Sequence, residues 1–220
     1  MGNIKSNTET VLFKLIQPKQ VIRFLCLFVF VYLLLMAPWP GLKAAYSKSY
    51  KAGSAFLFKS FGAKGIVRFR QQSDPGNDIN IIFYNRDHIG RDGKMVAVGN
   101  IPYNSRRYGF IFTAFLTALI LATPLSWRRK GRALFGGFFL IHCFIVLILG
   151  MWILYGFNKE SLSLFVLNPF WNRVFLLAID VFVRNLTFGL IVSVFIWILV
   201  SFRREDLTKF LIREKNPSKS

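Results

Sequence analysis

Charged side chains set inside apolar stretches are the first place to look for chemistry in this sequence. Asp180 and Arg184 stand four apart in one long hydrophobic run, a spacing that puts them on one helix face. Ionisable groups at membrane depth are costly and usually serve a purpose. The simpler account is depth. Residues 186–202 are almost wholly apolar and would measure about 25 Å as a helix. That length nearly spans a bilayer alone and would leave Asp180 and Arg184 at headgroup level as a local ion pair. His142 and Cys143 invite a base-and-nucleophile reading. Neighbouring helical residues do not face each other, and a reactive thiolate needs an electropositive, partly wet setting. A packing histidine is the favoured expectation.

A second set is cationic. Arg68 and Arg70 alternate with Val67 and Phe69, and Arg106 and Arg107 precede Tyr108 at the head of an apolar run. These four arginines are the candidate contacts for an anionic partner: lipid headgroups, an acidic polymer or a protein tail. For Arg106 and Arg107 the simpler expectation is an interfacial anchor with Tyr108. His88 has no histidine or cysteine near it, so no metal site is expected. There is no Walker A loop, HExxH, CxxC or GxSxG. No catalytic residue and no cofactor is expected.

The elements that carry these groups follow from composition. Of 220 residues 54% are hydrophobic, 25 are Phe, and only 18% are charged. Soluble domains run nearer 45–50% apolar and about 25% charged. A soluble globule, a disordered chain and a disulfide scaffold are all poor fits; an integral membrane protein is a good one. Cys26 and Cys143 both lie in apolar runs, where they are expected to act as small buried hydrophobes. The net charge of +19 admits nucleic acid, anionic lipid or an acidic polymer. The basic residues gather beside the apolar runs, which favours the membrane, and no nucleic-acid motif is present.

Four spans are expected: residues 21–38, 108–125, 133–157 and 170–202. Pro38-Trp39-Pro40 replaces a small-residue cleavage site, so the first reads as a retained anchor. The loop 126–132 carries Arg128, Arg129, Lys130 and Arg132; the tails 1–20 and 203–220 are also basic, and the loop 158–169 is nearly neutral. The positive-inside rule then places both termini in the cytoplasm. The opposing fact is that residues 39–107 hold 12 Lys/Arg against 4 Asp, although charge counting loses force in a loop longer than about 60 residues. The Met1-Gly2 start matches a myristoylation pattern, read here as chance.

The fold class expected is a mainly α membrane protein with a small α+β outer domain at 39–107. A helix at 42–61 would present Ala45, Phe56 and Phe61 on its apolar side, with Tyr46 and Tyr50 alongside. Lys43, Lys48, Lys51 and Lys59 would form its polar side. Strands at 66–71, 79–84 and 95–98 alternate at period two. Asp74-Pro75-Gly76-Asn77-Asp78 and Gly90-Arg91-Asp92-Gly93 read as turns, giving a three-stranded antiparallel meander. Gly136-Gly137 would allow close helix approach.

Several stretches together carry a resemblance. They are Tyr46-Ser47, Phe61-Gly62, Val67-Arg68-Phe69, Ser105-Arg106-Arg107-Tyr108-Gly109, Ala122-Thr123-Pro124-Leu125-Ser126-Trp127-Arg128-Arg129-Lys130 and Ile196-Trp197-Ile198-Leu199-Val200-Ser201-Phe202-Arg203-Arg204. This pattern resembles small bacterial integral membrane proteins found alongside exosortases, which process the C-terminal anchors of exported proteins. It does not resemble the enzyme, whose Cys, Arg and His stand in separate helices; adjacent His142-Cys143 departs from that layout. The resemblance implies an accessory role in envelope protein sorting or polysaccharide export. It also implies a bacterial inner membrane and a membrane-embedded sorting peptidase or export component as partner. The rival expectation is a small membrane enzyme or transporter using His142, Asp180 and Arg184.

Overall fold

In a computed structural model, residues 18–61, 64–72, 74, 76–90, 95–158 and 168–202 are described. The tails, most of the 158–169 loop and Arg91, Asp92 and Gly93 of the second turn lie outside them. The order is α1 (Pro18–Met36), α2 (Leu42–Phe58), β1 (Ser60–Phe61), β2 (Gly65–Gln71), β3 (Ile79–Ile89) and β4 (Met95–Tyr103). A π-helical turn (Arg106–Phe110) then leads into α3 (Ile111–Ala122), followed by α4 (Trp127–Phe157) and α5 (Pro169–Ala178). A second π turn (Ile179–Arg184) precedes α6 (Leu186–Ser201). α1 and α4 are each long and apolar enough to cross a membrane, and α5–α6 makes a third candidate if the bent pair counts as one span.

The 31 residues of α4 reach about 46 Å, well beyond the roughly 30 Å of a hydrocarbon core. The surplus supports the sheet. Ile141, Ile145 and Ile148 pack within the helix bundle. From the next residue onward, Leu149, Ile153 and Phe157 join the core of the sheet. That sheet is antiparallel in the order β1-β2-β3-β4, the three expected strands plus a two-residue edge. Its inner face is Val67, Phe69, Ile79, Ile81, Phe83, Ile101 and Tyr103, the set that period-two alternation picks out. Gly156 lets α4 touch this sheet: a Cβ there would overlap the ring of Phe83.

Within the bundle, α1 packs on α3 through edge-on contacts of Phe28 and Tyr32 with Phe115 at 5.4 and 5.8 Å. Gly137 of α4 admits Ile120 and Leu116 of α3, the close approach expected there. Gly189 of α6 admits Phe112. Trp197 Nε1 donates to Thr123 Oγ1 at 2.8 Å, tying α6 to the end of α3.

Four expectations are corrected. The run 170–202 is not one helix: it bends by 70° at Asn185. Asn185 is extended and its side chain accepts from the Thr187 N–H, so it caps α6. The stretch expected as a loop, 126–132, is helical from Trp127 on, so Arg128 to Arg132 form the start of α4, the helix that contains the expected span 133–157. α2 ends at Phe58, and its inward face is Ser47, Tyr50, Ser54 and Phe58. Ala45 and Phe56 point outward, Phe56 being 87% exposed. The small serines let α2 lie close to its neighbours, which a side lined by Phe56 could not do; the side chain of Phe61 is outside the description. Finally, Cys26 and Cys143 lie on outward helix faces rather than in the core.

Candidate functional site: a basic groove at the sheet edge

β1 pairs with β2 only at Ser60↔Ile66 and Phe61↔Gly65. Past Ile66, β2 has no strand neighbour on that side among the described residues; only the Val67 N–H continues the contact, donating to the Lys59 carbonyl at 3.5 Å. A groove of about 460 Å³ lies here, lined by Ala55, Ile66, Val67 and Phe69 together with Ser60, Lys59, Arg68 and Arg86. Three cations thus border an apolar floor, and among the described residues no acidic side chain lines it. Antiparallel pairing sets Arg68 opposite Ile82, so Tyr84 is its diagonal neighbour. The Arg68 guanidinium stacks 5.2 Å from the Tyr84 ring centre, which fixes its direction. Arg86 Nη2 reaches Ser60 Oγ at 3.5 Å. Among the described residues no carboxylate pairs with Lys59, Arg68 or Arg86; nearby Asp87 is taken by Lys64 at 2.6 Å.

Of the four arginines expected to meet an anionic partner, the structure places only Arg68 in this groove. Arg70 is exposed on the same outward face of β2 but is not part of the lining. Arg106 sits elsewhere, in a 130 Å³ cleft formed by the end of α1, the start of α2 and the first π turn. Its Nη2 donates to the Met36 carbonyl at 2.9 Å, and its guanidinium lies 5.9 Å from the Phe110 ring. Arg107 stacks at 5.7 Å on Tyr108. Tyr108 in turn packs on Tyr103 and Trp152. Lys59 and Arg86 were missed by sequence reasoning. The signal was present for Arg86, since strand alternation continued past Tyr84 brings it beside the groove.

The cleft at Arg106 is held together by Asp78. Its buried carboxylate accepts from the backbone N–H of Ser105 at 2.8 Å and from the Ser105 hydroxyl. The turn before β3 is thereby latched to the first turn of the helix that leads into α3. Beside it, Tyr50 and Tyr103 share a 2.6 Å hydrogen bond between phenols. Burial pushes both phenols well above the usual tyrosine range, with neighbouring Tyr46 adding to the shift. Folded-state values above the unfolded one mean that this contribution is whole below pH about 10. It is lost as pH climbs from there towards the folded values. Tyr50→Phe or Tyr103→Phe alone should cost about 1–3 kcal/mol, because each strands a buried phenol. The double variant should cost less than the sum. Denaturation of the four proteins in micelles, at neutral pH and above pH 10, reads both effects.

The intramembrane candidates do not converge. Arg184 Nη1 bonds Asp180 at 2.7 Å, with side chains 52% and 57% exposed, and Arg184 Nη2 reaches Tyr155 Oη at 3.3 Å. His142 lies 13 residues before Tyr155 on the same helix, about 20 Å along its axis. Its Nδ1 is 2.7 Å from the Phe138 carbonyl oxygen. Its ring borders an apolar groove of about 330 Å³ between α2 and α4. Among the described residues no cluster of three His, Cys, Asp or Glu is placed to hold a metal ion. No protein-family model matches the chain, and no curated protein or solved structure matches it either.

Proposed function

We propose that this chain is a multi-pass membrane accessory protein whose outer domain captures an acidic, extended segment of a partner protein. The observation that carries the reading is the groove bordered by Lys59, Arg68 and Arg86 along an edge of β2 that, among the described residues, lacks a strand neighbour beyond Ile66. An extended peptide at such an edge gains main-chain hydrogen bonds. Cations that no described carboxylate neutralises select its acidic side chains and steer its approach, and the apolar floor takes one or two apolar side chains between them.

The membrane arrangement that suits this role has four spans. α1 and α4 cross fully. The π turn with α3, residues 106–122, and α6 cross as segments of about 25 Å. α5 then lies along the headgroups, with Phe170, Trp171, Val174 and Leu177 outward. Asp180, Arg184 and Tyr155 form an interfacial anchor. Arg128, Arg129, Lys130 and Arg132 begin the helix whose other end carries the sheet, so a cytoplasmic position for them places the sheet outside. Both termini are then cytoplasmic. The resemblance to exosortase-associated proteins supports a sorting or export component of a bacterial inner membrane as the partner. The rival enzyme reading would need His142 beside Asp180 and Arg184, and the distance along α4 speaks against it.

The test is affinity capture from native membranes. The wild-type protein should retain a membrane partner in low salt and release it in high salt, because exposed charge pairs are screened. Retention unchanged by salt and by charge reversal at Arg68 and Arg86 would reject the reading.

A further inference from the structure

At the end of the bundle away from the sheet, the start of α4 meets the end of α6 around a cavity of about 200 Å³. Its polar lining is Arg129, Arg132 and Ser201; Leu125, Ala133 and Val200 supply the apolar part. Ser201 is 2% exposed, and among the described residues its Oγ has no hydrogen-bond partner. A buried hydroxyl left without a partner is costly, and the usual helical remedy, a bond back to a carbonyl one turn earlier, is used by Ser193 but not here. Two arginines and one hydroxyl without a partner among the described residues thus border a single small space with apolar walls. Exposed Trp127 lies at the same end, as interfacial aromatics do. Lys130 is turned elsewhere, its Nζ donating to the Leu121 carbonyl at 2.7 Å.

We propose that this cavity binds the phosphate of an anionic phospholipid in the leaflet opposite the sheet. Arg132, an exposed residue of the lining, meets the phosphate oxygens, and Arg129 adds its positive charge to the same wall. Ser201 Oγ donates to one of those oxygens, and Leu125, Ala133 and Val200 face the glycerol and the first methylenes. Basic pockets between membrane helices suit such headgroups, and planar guanidinium groups suit phosphate geometry. The inference does not depend on the groove at the sheet edge, and either can fail alone.

The experiment uses the full chain in micelles, titrated with phosphatidylglycerol, with phosphatidylcholine and with inorganic phosphate. Native mass spectrometry and thermal unfolding give the readouts. Phosphatidylglycerol should stay bound and raise the Tm, whereas phosphatidylcholine should do neither. Arg132→Gln should weaken phosphatidylglycerol binding about tenfold. Arg128→Gln removes the same charge at a position outside the lining and should weaken it no more than the roughly fivefold of a general basic contact. Ser201→Ala, which only deletes an unpartnered hydroxyl and so folds, should weaken it about fivefold. Equal losses in Arg128→Gln and Arg132→Gln, with none in Ser201→Ala, would reduce the effect to diffuse attraction and overturn the proposal. Equal stabilisation by inorganic phosphate at matched concentration would overturn the lipid assignment.

Discussion

Gly156→Leu is expected to separate the sheet from the end of α4 and to cost the outer domain about 3 kcal/mol, the upper end of overpacking penalties. Even a Cβ at this position overlaps the Phe83 ring. Phe83 is 1% exposed and meets Phe157 edge-on at 5.1 Å, so its ring has nowhere to retreat. Gly131→Leu is the matched control. It lies in the same helix, nothing stands within 4 Å of its added Cβ, and the change should stay within about 0.5 kcal/mol. Limited proteolysis of the outer domain in proteoliposomes reads the difference. Faster cleavage in Gly156→Leu alone supports α4 as the sheet's floor; equal protection in both would show that the sheet stands without it.

Arg68→Glu with Arg86→Glu is expected to weaken partner capture about 100-fold at low salt, since reversal replaces attraction by repulsion at two of the groove's three cations. The same pair should barely alter folding. Arg68 is an exposed residue stacked on Tyr84, and Arg86 is exposed with one long contact to Ser60. Arg70→Glu with Arg107→Glu provides the charge-matched comparison, because neither residue lines the groove. Quantitative capture across a salt series separates the two doubles. A loss confined to the first, and shrinking as salt rises, fits a localised acidic ligand. Equal losses in both would mean that overall charge, not the groove, draws the partner.

The sheet was the most legible part of the sequence. Val67 and Phe69 turn inward while Arg68 and Arg70 turn outward, because a strand has only two faces. The bend at Asn185 was harder to see. Apart from Asn172 and Arg173 at its start and the polar residues near its middle, the run 170–202 is largely apolar, and hydropathy does not register a single extended residue. The clue is Asn185, a good N-cap residue directly before Leu186; the Asp180–Arg184 pair beside it points to depth in the membrane and says nothing of where a helix starts. For α2, the bulk of Phe56 drew the apolar side the wrong way. Small polar residues, Ser47 and Ser54, face the interior because they permit close approach, which hydrophobicity does not measure. Arg68 could be named as a candidate contact from alternation alone. The groove could not, because Lys59 follows α2, Arg68 lies in β2 and Arg86 in β3. Only the β2–β3 pairing and the early end of β1 bring them together.

The central claim is that the groove receives an acidic protein segment. A photoreactive amino acid at Ile66, which lines the groove, tests it in native membranes. The account predicts one dominant cross-linked membrane protein, joined through an acidic stretch and lost in Arg68→Glu with Arg86→Glu. Cross-links to lipid alone, or a protein adduct unchanged by that double reversal, would contradict it.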